Sequence, residues 1–165
     1  MKRLVLCGPS LAGKTTILKA IAAAHSASIE TFYAHSRDDS RLTCRGARTE
    51  FTQSSSTIEL ATLVGPTQNN EMWGDLLDGA AAVVLVLDGQ RERDEANQAW
   101  VAKLASREMP VPGCVVTTKL DLPNAAFAPA QFVSGTRFAR WPTTQSSAGN
   151  ATSATLAVEA LILSL

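Results

Sequence analysis

The chain has 165 residues, a length suited to one domain. Hydrophobic residues make up 45% and charged residues 18%, which fits a sizeable core and excludes an intrinsically disordered chain. The 15 Lys and Arg residues balance the 15 Asp and Glu residues. Zero net charge argues against a nucleic-acid backbone as partner and against an electrostatic membrane anchor.

No apolar run exceeds about ten residues, too short for a membrane span. The start, Met1-Lys2-Arg3-Leu4-Val5-Leu6-Cys7-Gly8, has neither the apolar length nor the cleavage site of a signal peptide, and no lipid-attachment box is visible. Cys7, Cys44 and Cys114 are an odd set without metal-ligand spacing. They read as small hydrophobes kept reduced, so a cytoplasmic location is expected.

In chain order, residues 2–7 form a short buried strand, and 14–24 carry helical periodicity with Ile17, Leu18, Ile21 and Ala22 on one face. Residues 25–44 read as polar and irregular. Strands are expected at 45–52 and 57–64, joined by a turn at Gln53-Ser54-Ser55-Ser56 and ended by Gly65-Pro66. A fully apolar strand follows at 81–87, then a helix at 93–107 and a buried strand at 114–118. Residues 121–150 read as mostly loop, with a strand near 137–141. A last helix covers 152–165, with Leu156, Ala160 and Leu163 on one face. Continuous apolar strands alternating with helices imply an α/β domain, doubly wound, with about six mostly parallel strands and helices on both faces. Its ligand belongs at the carboxyl ends of the strands.

Gly8-Pro9-Ser10-Leu11-Ala12-Gly13-Lys14-Thr15 matches G-x-x-x-x-G-K-[ST] between a strand and a helix. Glycines let a backbone approach phosphate closely and aim amide N–H groups at it, and the helix N-terminus favours the anion. Gly8, Ser10, Ala12, Gly13, Lys14, Thr15 and Thr16 are therefore the expected phosphate-binding residues, with Lys14 as the charge on the β/γ-phosphates and Thr15 as a Mg²⁺ ligand. Thr118-Lys119-Leu120-Asp121 stands at a strand end about a hundred residues further on. In such a T-K-x-D segment the Asp121 carboxylate accepts two hydrogen bonds from guanine, N1–H and the exocyclic amine, which adenine does not offer. The Lys119 stem lies along the purine face. Val83-Val84-Leu85-Val86-Leu87-Asp88 has two readings: the Mg²⁺-holding strand of an ATPase or kinase, or a central strand whose Asp88 lines the nucleotide rim. The T-K-x-D segment favours the second.

With both motifs placed, the chain resembles the small Ras-like GTPases over nearly its full length. Within them it looks most like the bacterial MglA group, which governs cell polarity and gliding motility. Thr62-Leu63-Val64-Gly65-Pro66 is similar to that group's T-V-P-G-Q form of the third GTPase motif. The run from Leu87-Asp88-Gly89-Gln90 through Glu95-Ala96-Asn97 is similar to its D-S-Q-x-E-R-x-E-A-N stretch. The resemblance implies a P-loop NTPase G domain that binds guanine nucleotide (GTP/GDP) with Mg²⁺ and acts as a slow GTP hydrolase and switch. Its partners would be a Roadblock-type activating protein and effector proteins, and its switches would lie at 35–50 and 65–75. It also implies a nucleotide contact at Gly65, a Mg²⁺ ligand at Ser40 with Thr43 as rival, and a fifth motif at Ser146-Ser147-Ala148, with Ser147 and Ala148 near the base. Pro66 stands where the water-orienting Gln is expected, and Thr62 replaces the usual Asp. That leaves Gln68 and Arg41 (or Arg37) as catalytic candidates beside Lys14. The same departures suit a second reading, a nucleotide-binding interaction module without turnover. A third, an ATP-dependent kinase, requires preference for adenine nucleotides.

Overall fold

Two strands are buried at every position, β5 (Ala82–Asp88) and β6 (Gly113–Thr118). A strand with no polar face is covered on both sides, so these two belong in the interior of a parallel sheet. The computed structural model describes residues 1–35, 43–64, 70–125, 129–147 and 149–165. Within them β1 (Lys2–Cys7) lies between β4 (Ser56–Val64) and β5, parallel to both, with Leu4 opposite Leu60 on one side and Ala82 on the other. β6 and β7 (Thr143–Gln145) continue in parallel. On the far side β3 (Thr43–Gln53) and β2 (Ile29–His35) add an antiparallel wing. The seven strands run in the order β2-β3-β4-β1-β5-β6-β7.

Helices cover both faces. Leu18 and Ile21 of α1 (Lys14–Ala24) join Val158 and Ile162 of α5 (Thr152–Leu163) over one face. On the other, α2 (Asn70–Asp78) and α3 (Asp94–Ala105) meet edge to face through Trp73 and Trp100, their rings 4.8 Å apart. A short α4 (Pro129–Val133) closes the same side. Among the described residues, no helix is long and apolar enough to cross a membrane.

The α/β class and the placement of β1, α1, β5 and β6 agree with the sequence analysis, but four details differ. Among the described residues the strand count is seven, because β2 forms inside the stretch read as irregular. β2 is an edge strand, largely exposed, so no continuous apolar run announces it. Pairing with β3 along its whole length makes it, and Gly46 leaves room for the Phe32 ring, which a Cβ there would meet at 2.2 Å. Residues 137–140 form a 3₁₀ turn capped by the Thr136 hydroxyl, which accepts from the Phe138 N–H at 3.2 Å, and the last strand follows at β7. α4 forms inside the stretch 121–150 read as mostly loop.

The fourth difference concerns α5. Its core face is Ala154, Val158, Leu161 and Ile162, while Leu156 and Leu163 are 65% exposed. An almost uniformly apolar helix gives periodicity nothing to read, so packing alone selects the buried side. Ile162→Ala should therefore cost about 2–5 kcal/mol in stability, and Leu156→Ala less than about 0.5 kcal/mol. Denaturant titration of the two variants checks this; equal losses would return the core face to Leu156.

Candidate functional site

The carboxyl ends of β1, β4, β5, β6 and β7 share one rim, and the chain leaves β1 toward β4 first and toward β5 later. Such a reversal opens a crevice beyond the strand ends. Residues 8–13 fill it. Gly8 has φ +142°, and a Cβ there would sit 1.9 Å from the Val86 carbonyl oxygen, so only glycine passes β5 at that distance. Leu11 (φ 66°) and Gly13 (φ 94°) are left-handed on either side of a fully buried Ala12. They curl the loop into the start of α1, where first-turn amides lack helical partners.

Lys14 opens α1, is only 6% exposed, and folds back over the loop. Its ammonium donates to the carbonyl oxygens of Gly8 at 3.0 Å and Pro9 at 2.6 Å. Burial lowers its pKa from 10.5 to about 8. Beside it is a cavity of about 230 Å³, lined by Ser10, Gly13, Lys14, Thr15 and Thr16 with Leu63 and Val64 of β4. Ammonium, helix N-terminus and half-buried Thr15 hydroxyl suit an anion carrying a hard cation.

A second cavity, about 110 Å³, shares Leu11, Gly13 and Thr16 with the first and extends to Thr118, Lys119, Ser146 and Ser147. The Thr118 hydroxyl donates to the Ala12 carbonyl at 2.8 Å, with the Leu87 carbonyl 3.2 Å away, and ties β6 to the loop. Lys119 (φ 60°) reverses the chain, and its ammonium donates to Asp88 Oδ2 at 2.6 Å. Asp121 is exposed in the turn that follows. The Ser146 N–H donates to the Thr117 carbonyl at 2.8 Å and its hydroxyl to the Asn150 carbonyl at 2.7 Å, which holds Ser147 at the cavity wall. The two compartments adjoin through Leu11, Gly13 and Thr16, with the buried Lys14 ammonium in one and Lys119, Ser146 and Ser147 lining the other.

The sequence-predicted residues Gly8, Ser10, Ala12, Gly13, Lys14, Thr15, Thr16, Thr118, Lys119 and Ser147 thus meet around one cleft. Ser40, Arg41, Gly65, Gln68 and Ala148, with Arg37 and Pro66, lie outside the described residues. Thr43 begins β3, exposed. Thr62 is fully buried, and its hydroxyl donates to the Leu6 carbonyl at 2.9 Å, inside the sheet. Asp88 is fully buried with both carboxylate oxygens engaged, Oδ2 by Lys119 and Oδ1 by the Gln90 N–H at 3.1 Å. Asp88 therefore ends β5 with its carboxylate paired to Lys119, a lining residue of the second cavity. Sequence reasoning missed Asn97, fully buried in α3 and bonded to the Asp88 backbone. A polar residue disfavoured in helix interiors, on a helix that packs on the sheet, was the available signal.

A further cavity of about 240 Å³ lies between α2 and the β2–β3 wing. Its Arg3 pairs with Glu59 and its Arg48 with Glu30, so its charges are spent locally. The thiols of Cys7 and Cys114 are buried and pushed up to about 12 by that burial, which makes them inert.

Lys14 carries a stability cost. Its folded pKa lies below its unfolded value, so the unfolded chain holds more protons between pH 8 and 10.5, and stability rises with pH across that window. Below pH 8 the full cost of burying the ammonium is present, at most about 3 kcal/mol. Lys14→Met should therefore stabilise the ligand-free protein at pH 7, with the advantage shrinking above pH 8. Melting curves of both proteins from pH 7 to 10.5 check it; a constant difference would contradict the buried ammonium.

No model of a known protein family matches the chain, and no curated protein matches it significantly.

Proposed function

We propose that the chain is a guanine-nucleotide-binding switch of the P-loop NTPase, G-domain kind, which hydrolyses GTP to GDP slowly and is activated by a partner. The observation that carries the reading is the two-compartment cleft. One compartment holds the only strongly buried lysine among the described residues, at a helix N-terminus, and the other is walled by Lys119 and Ser147. A nucleoside polyphosphate has two corresponding parts, an anionic chain for the buried ammonium and a base for the adjoining compartment.

In this reading Lys14 exchanges its bonds to the Gly8 and Pro9 carbonyls for the β/γ-phosphates. The amides of residues 10–16 surround the phosphates, and the Thr15 hydroxyl holds Mg²⁺. The metal, when bound, neutralises charge on the phosphate oxygens; Mg²⁺ needs few protein ligands where phosphates and waters supply the rest. The Lys119 stem covers one face of the base and Asp121 accepts from the guanine edge. The resemblance to the MglA group points to a Roadblock-type activating protein and to effectors, and the free thiols suit the cytoplasm. Titration with GDP, GTP, ADP and ATP, with and without Mg²⁺, tests the reading. GDP should bind at least about a hundredfold more tightly than ADP, and Asp121→Asn should erode that ratio, since an amide offers one acceptor where a carboxylate offers two. Equal affinities for GDP and ADP would overturn it.

Hydrolysis needs a positioned water and charge neutralisation on the transferred phosphoryl. Pro66 brings neither a side-chain donor nor an N–H, and the Thr62 hydroxyl is spent on Leu6. Single-turnover hydrolysis by the isolated protein is expected at or below about 10⁻⁴ s⁻¹, and a partner that supplies or orders Gln68 or Arg41 raises it by about 10³–10⁵. The Thr62 bond also favours a second reading, nucleotide binding without turnover. A rate that no activator raises would select it, and a partner-free rate near 1 s⁻¹ would exclude both versions.

A further inference from the structure

We infer that Asp88 and Asn97 are a positioning pair for the base compartment: Asn97 clamps the backbone of Asp88, and the Asp88 carboxylate anchors the Lys119 ammonium so that its stem forms the compartment wall. The inference rests on the reading of that compartment as a base site. It begins where β1 stops. Cys7, the last residue of β1, pairs with Leu85, so β1 does not reach Asp88. Asn97 pairs with Asp88 in its place: its side-chain oxygen accepts the Asp88 N–H at 3.0 Å and its amide donates to the Asp88 carbonyl at 2.7 Å. Both residues are fully buried. One amide therefore satisfies both backbone groups of a single residue, which fixes where that residue's carboxylate points.

The turn after β5 is locked to the turn after β6 at several points. The Gly89 N–H donates to the Thr118 carbonyl at 2.8 Å, and a Cβ on Gly89 would sit 2.6 Å from that same oxygen. Gln90 forms a bridge with Ala125 beyond Asp121. Across this seam the Asp88–Lys119 ion pair is a charged contact, with the carboxylate fully buried and the lysine side chain 19% exposed. Tethered at its tip, Lys119 cannot swing toward the phosphate end, and what it presents to the cavity it lines is its methylene stem. Two lysines of one cleft are thereby given separate tasks, Lys14 toward anions and Lys119 toward a flat ring.

The test compares GDP with inorganic pyrophosphate, which needs only the Lys14 compartment, by calorimetry on the full chain with Mg²⁺. Asp88→Asn should weaken GDP by about tenfold or more while pyrophosphate affinity stays at its wild-type value. Asn97→Ala, which leaves the Asp88–Lys119 charges in place, should shift GDP in the same direction by a smaller factor, again sparing pyrophosphate. Adding Lys119→Met to Asp88→Asn should cost no more than Lys119→Met alone, because the two residues act through one contact. Equal losses of GDP and pyrophosphate would reduce the pair to a structural role, and unchanged GDP affinity in both Asp88→Asn and Asn97→Ala would overturn the inference while leaving the nucleotide reading standing. A wild-type protein that binds pyrophosphate but no nucleotide would overturn both.

Discussion

At Gly8 the chain leaves β1 so close to β5 that a Cβ would collide with the Val86 carbonyl oxygen. This approach sets the position of everything downstream. The loop cannot lift away from the sheet, because Ala12 is fully buried and its carbonyl accepts the Thr118 hydroxyl from β6. α1 then starts at Lys14, capped by Gly13, with its first turn facing the crevice, and the Lys14 ammonium donates to the loop's own carbonyls. A single missing side chain thus determines where a helix N-terminus and a lysine meet.

The two lysines of the cleft are held in opposite electrostatic states. Lys14 is buried against neutral carbonyls, and burial drags its pKa down to about 8. Lys119 sits against a buried carboxylate. The first is poised to gain from an incoming anion, since a charge already stripped of water interacts strongly with a partner. The second has its charge satisfied and offers hydrocarbon instead. The fold gives up stability at one end of the cleft and recovers order at the other, a pattern common where function requires a strained or desolvated group.

The antiparallel wing and the second helical face serve as support. Thr62 hydrogen-bonds β4 to β1 behind the loop, and α3 reaches the rim through Asn97, while its Trp100, Val101 and Leu104 join the core shared with α2 and the sheet. A substitution in α3 therefore has two distinct kinds of consequence: Trp100 or Leu104 acts through the core, and Asn97 through the geometry of Asp88.

Residues adjacent in the chain were readable from the sequence. The glycine loop, the start of α1, the buried runs of β1, β5 and β6, and the T-K-x-D turn follow from local steric rules and from apolar continuity, which do not depend on distant partners. Elements that exist only by pairing were not readable. β2 is a strand because β3 lies beside it, and Asn97 is a rim residue because β1 ends before Asp88. α5 turns Val158 and Ile162 inward although Leu156 and Leu163 are as apolar, because the sheet and α1 pack against one side of a helix whose composition favours neither. The sequence by itself determined that a phosphate-type loop precedes a helix and that a lysine–aspartate turn ends a buried strand. Only the tertiary structure decided that Asp88 spends its charge on Lys119 and that Thr62 spends its hydroxyl on Leu6, since each bond joins residues far apart in the chain and depends on a packing distance that spacing does not encode.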